Sequence, residues 1–125
     1  MQTSNGKWKS VLLVCGFLAA VVFVSFLPPS DKQIMHTEGR FHYWGHLVVF
    51  GALGFLSARA VKSPWTRVAV CLAGILFGFG MEVGEHFVFR SHMEWKDVFV
   101  DSMGVFAGSL FAIALDSVIR RRALQ

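Results

Sequence analysis

Three pairs of ionisable residues, each spaced four apart, stand out in an otherwise apolar chain: His42 and His46, Glu82 and His86, Asp97 and Asp101. Glu85 lies one turn from Glu82. Four-residue spacing puts both members of a pair on one helical face. Imidazoles and carboxylates gathered in this way support three kinds of chemistry. His46, Glu82, His86 and Asp101 could ligate a divalent metal, since imidazole nitrogen and carboxylate oxygen suit zinc or manganese. His46, Glu82, Glu85, Asp97 and Asp101 could form a general acid–base group acting on a lipid-linked phosphate or ester. The same residues could instead make a hydrogen-bonded polar core, with Asp97 stabilised by the dipole at a helix N-terminus. No H-E-x-x-H, G-x-S-x-G or Gly-rich phosphate loop selects among the three, and no motif names a cofactor. His36 and His92 read as loop residues at the surface.

The elements that must carry these residues are membrane helices. Of the 125 residues, 54% are hydrophobic and 16% charged, and the mean hydropathy is +0.54. About a quarter of a soluble domain is charged, so this composition points to lipid as solvent. The apolar residues fall into four runs, predicting an all-α, four-helix transmembrane bundle in one domain, with spans at about 10–28, 44–62, 66–89 and 97–118. The first run has a basic start like a signal peptide. It lacks an A-x-A-like cleavage site and is long for such a segment, so a retained span is expected. Pro28 and Pro29 should end it. Cys15 and Cys71 lie within apolar runs and read as small buried hydrophobes.

The net charge is +4, but the basic residues flank the apolar runs, and no nucleic-acid-binding pattern is present. Lys7, Lys9, Arg59, Lys62, Arg67, Arg120, Arg121 and Arg122 fall on one side with Asp116 as the sole acid. Lys32, Arg40, Arg90 and Lys96 fall on the other with the remaining acids. A bacterial cytoplasmic membrane is the expected setting, and this bias predicts cytoplasmic N and C termini and an outer position for segments 28–43 and 88–97. Trp44, Trp65 and Trp95 then lie at interfaces, with Trp8 in the basic flank. All three polar pairs reach the outer leaflet. Glu82 would lie about seven residues, or ~10 Å, inside it. A charge at the bilayer centre costs ~2.5–3.5 kcal/mol, so these side chains should face the bundle interior. Gly74 with Gly78, and Gly104 with Gly108 and Ala112, form small-residue stripes that allow close helix packing. On the last helix that stripe continues through Asp101 and Asp97.

The polar stretches resemble those of VanZ-like membrane proteins, a family named for a member associated with teicoplanin resistance. His46 to Phe55, HLVVFGALGF, resembles the family's early His-containing helix. Glu82-Val83-Gly84-Glu85 resembles its Glu-x-x-Gln, with Glu85 in place of Gln. Arg90 corresponds to a loop arginine. Asp97 to Gly108, DVFVDSMGVFAG, resembles Asp-x-x-x-Asn-x-x-Gly-x-x-x-Gly, with Asp101 in place of Asn. The resemblance implies functional importance for Glu82, Asp97, Gly104 and Gly108, and in part for Glu85 and Asp101. The three converging polar pairs favour action on the cell envelope or a lipid-linked substrate at the outer leaflet. Minimal loops and Gly stripes suit a second reading, an accessory subunit in a larger membrane complex. A transporter is disfavoured, because four short helices enclose little. Lipid is the partner either way.

Overall fold

A computed structural model describes residues 4–27 and 42–124. They form four helices: α1 Ser4–Ser25, α2 His42–Ala60, α3 Pro64–Phe89 and α4 Trp95–Ala123. The expected stop at Pro28 and the outer segment bearing Lys32, His36 and Arg40 lie outside the described residues. The helices overrun the apolar runs. α4 continues to Ala123, through Arg120–Arg122, and α1 starts at Ser4. Hydropathy marks where lipid ends, whereas the hydrogen-bond ladder continues into the headgroup zone, where Lys and Arg are compatible with helix. Pro64 opens α3 at a position where its missing N–H costs nothing. Arg90 closes α3 with φ 52°, in the left-handed region that reverses the chain.

α1, α3 and α4 are each long and apolar enough to cross a membrane. The protein is a multi-pass helical membrane protein. Its core is small: Val21, Phe50, Leu53 and Val105, with Phe17, Leu18, Cys71, Ile75 and Phe77 packed around them. Phe23, Leu76 and Phe87 instead stand 70%, 68% and 75% exposed, a surface that lipid covers without cost. Every helix carries an exposed tryptophan at or near its N-terminus: Trp8, Trp44, Trp65 and Trp95. Two therefore sit at each end of the bundle, as an interfacial belt requires.

The closest partnership is between α2 and α4. His42 meets Asp97, His46 meets Asp101, and Ser109 Oγ donates to the Gly54 carbonyl at 3.4 Å. Each contact joins residues 55 apart, so the two helices run parallel in fixed register. Glycine makes the approach possible. A Cβ on Gly108 would overlap the Gly51 carbonyl, and one on Gly54 would overlap the carbonyl of Val105. On Gly104 it would lie 2.8 Å from the Leu47 carbonyl oxygen. α3 runs antiparallel to this pair, with Gly74 against Val105 and Gly78 against Phe50 and Asp101. α1 packs more lightly, and just past its end the Phe26 ring rests on Gly84, 6.4 Å from that of Phe89. The order is up-down-up-down, so the start of α1 and the end of α4 share one end of the bundle. At that end Asp116 holds Arg67, whose Nε also donates to the Val61 carbonyl at 3.3 Å, and Arg59 lies 3.9 Å away.

α2 falls short of the apolarity that marks the other three helices, since it includes His42, His46 and Arg59. Its register with α4 nevertheless places it at the same level, turn for turn.

Candidate functional site

The fixed register of α2 on α4 builds the site. His42 is the first residue of α2 and His46 lies one turn in; Asp97 is in the first turn of α4 and Asp101 in the next. His42 Nε2 is 2.9 Å from Asp97 Oδ2, and His46 Nδ1 is 2.8 Å from Asp101 Oδ1. An ionised carboxylate only accepts, so each imidazole donates through the nitrogen that faces it. For His46 this assigns the proton to Nδ1 and leaves Nε2 for another partner.

Asp97 and Asp101 are 4% and 3% exposed, while the imidazoles retain 32% and 26%. The carboxylates are thus sealed within the bundle, and the rings form the side that opens outward. The two rings cross at 61° with centroids 4.5 Å apart. His46 also stacks on Phe50, at 6.2 Å and 8°, which gives the site an apolar floor. Gly78 brings α3 close enough that its Cβ would lie 3.3 Å from Asp101 Oδ2. Asp97 Oδ1 is buried and has no hydrogen-bond partner among the described residues. A buried acceptor in that state costs about 1–3 kcal/mol, more when charged. One ligand atom each from His42, His46 and Asp97 lie within 4.8 Å of one another.

Comparison with protein-family models, curated proteins and solved structures returned no match.

Glu82, Glu85 and His86 occupy a neighbouring position with a different use. Glu82 Oε1 accepts the backbone N–H of Glu94 at 2.6 Å, and Glu94 is the N-cap residue of α4. His86 Nδ1 bonds the Ser91 carbonyl oxygen, and Ser91 Oγ donates to the Glu85 carbonyl at 3.5 Å. These residues organise the 90–94 connection. The four-residue metal set drawn from the sequence is therefore divided: His46 and Asp101 are bonded to each other, while Glu82 and His86 hold the loop. His42 was paired with His46 on one helical face but left out of both candidate site sets, and it is a member of the converging group. Its four-residue spacing from His46 was the available signal.

Lys96 lines a shallow, largely apolar groove together with Tyr43, Trp95, Phe99 and Val100. Tyr43 follows His42 in sequence and Lys96 precedes Asp97. The groove therefore lies on the same two helices as the site and at the same end.

Proposed function

We propose that the two His–Asp pairs form a reactive or binding centre for a lipid-linked envelope substrate, at the outer leaflet, in a VanZ-like membrane protein. One observation carries this reading. Two buried carboxylates are each matched to an imidazole on a facing helix, and one carboxylate oxygen is left unsatisfied. A polar core serving stability alone gains nothing from an orphan acceptor. An apolar groove with one lysine in its lining suits an acyl chain and an anionic head. Within the centre, Asp101 would fix the tautomer of His46 and leave its Nε2 to act as base or ligand, and Asp97 would receive a donor or cation. Glu82 would act at one remove, by fixing the start of α4.

The test is complementation in a strain lacking the gene. The wild-type chain should restore both the lipid-linked precursor pool, followed by mass spectrometry, and teicoplanin tolerance. Asp101→Asn should restore neither at equal membrane abundance, because the amide keeps the shape and loses the charge. Full rescue by Asp101→Asn would remove the centre from the function.

The charge bias supports the outer position. Arg59, Lys62, Arg67 and Arg120–Arg122 lie at the end opposite the His–Asp pairs, and short basic loops stay in the cytoplasm. With Cys15 and Cys71 replaced by Ala, cysteines introduced at Gly6, Ser91 and Leu124 report the orientation. An impermeant thiol reagent applied to intact cells should label Ser91→Cys alone. Labelling at Gly6 or Leu124 would invert the topology and place the centre inside.

The accessory-subunit reading draws on Gly16 and Gly80. Both face outward on α1 and α3, where a Cβ would meet nothing within 4 Å. Outward small residues offer a neighbouring helix a close seat. Gly16→Phe and Gly80→Phe should leave the chain folded but release any subunit held there. Co-purification from native membranes reads the outcome.

A further inference from the structure

The geometry points to a divalent transition-metal site formed by His42, His46 and Asp97, with Asp101 orienting His46 from behind. It deepens the proposed function by naming what the centre holds, and rests on that reading only for the leaflet from which the ion arrives.

The ligand types come first. Two imidazoles and one carboxylate suit first-row transition ions, whereas magnesium and calcium take oxygen ligands almost throughout. The scaffold is equally suited. His42 and His46 are one turn apart on α2, so both rings leave the same face, and Asp97 faces them from α4. His42 Nε2 and Asp97 Oδ2 stand 2.9 Å apart, near the ~3.3 Å between neighbouring ligands on a tetrahedral ion. An ion there replaces the proton that now joins them. The full set lies within 4.8 Å, roughly 1.5 Å wider than a closed site, which imidazole rotation at the start of α2 can cover.

Two further observations point to a cation. Asp97 is 4% exposed, and its Oδ1 lacks a hydrogen-bond partner among the described residues. A bidentate carboxylate on an ion would satisfy that oxygen. His46 Nδ1 is held by Asp101 at 2.8 Å, which leaves Nε2 to bind. A carboxylate that orients a metal-binding imidazole in this way raises its basicity and fixes its tautomer. Three protein ligands leave a coordination position open on the half-exposed side of the rings, as catalytic zinc sites do. A phosphate or carbonyl oxygen of a lipid-linked substrate could take that position.

Cobalt is the probe, because its visible absorption reports both occupancy and geometry. The full chain, purified in detergent without a polyhistidine tag and stripped with chelator, should take up one Co2+ per chain. Zn2+ should displace it, and Mg2+ should not. His42→Ala and Asp97→Asn should each weaken binding at least tenfold, and Asp101→Asn by about 10–100-fold. His92→Ala, in the exposed loop, should leave the titration unchanged. Circular dichroism and elution volume confirm the fold of each variant, with His42→Asn used in place of His42→Ala if the latter fails to fold. Substoichiometric uptake by the wild type would overturn the site. So would an unchanged titration in the His42 variant, or loss of binding in His92→Ala. A chain that binds no ion yet loses complementation with Asp101→Asn would end this inference and leave the proposed function standing. Stoichiometric binding with full complementation would do the reverse.

Discussion

Gly108→Ala should destabilise the protein by about 2–3 kcal/mol, a large effect for one methyl group. The new Cβ would run into the backbone carbonyl of Gly51, which has no rotamer to give. α2 and α4 would have to separate, and their paired side chains would separate with them. The opposing gain in helix propensity is at most ~1 kcal/mol. Gly80→Ala isolates that gain, since nothing lies within 4 Å of its Cβ. It should melt at or slightly above the wild-type temperature in the same detergent. Equal melting of Gly108→Ala and the wild type would mean that α2 and α4 do not touch there.

Asp101→Ala should cost about 2–3 kcal/mol, because it leaves His46 facing a cavity with its Nδ1–H unsatisfied. Breaking a fully buried pair costs 3–5 kcal/mol. The figure is lower here because the His46 side chain keeps 26% of its surface exposed, so water can partly replace the lost acceptor. Replacing both partners, as in His46→Leu with Asp101→Leu, should recover most of that loss, since matched apolar groups need no hydrogen bond. The two single variants and the double variant form a cycle whose coupling energy measures the pair. A coupling near zero would show that the two residues do not interact.

The helices and the face each polar pair occupies were legible in the sequence, because both follow from hydropathy and from the 3.6-residue period. The partner of each residue was not. His46 could be placed at one end of the bundle by charge bias, but its bond to Asp101 depends on the rotation and register of α2 against α4. Those are set by Gly54, Gly104 and Gly108 meeting carbonyl groups on the facing helix. Small-residue spacing reveals that helices approach, without saying which carbonyl receives them. Glu82 and His86 show a different limit. They share a face with Gly74 and Gly78, and that face does meet Asp101 at Gly78. One turn beyond His86 the chain reverses at Arg90, and the backbone of Ser91 and Glu94 needs partners. Local backbone demand engages both side chains before they reach the His–Asp pairs.

The fixed register between α2 and α4 also bears on biogenesis. The histidines leave the ribosome some 55 residues before the aspartates that complete them. Until α4 arrives, α2 must enter the membrane with two imidazoles and Arg59 unmatched, on a segment less apolar than its neighbours. Polar side chains of this kind weigh against insertion of a single helix. α4 supplies two carboxylates for the imidazoles and a third, Asp116, near Arg59. Stable residence of α2 in the bilayer is thus completed after translation of the last helix. A chain ending after α3 should expose α2 to the quality-control proteases of the membrane.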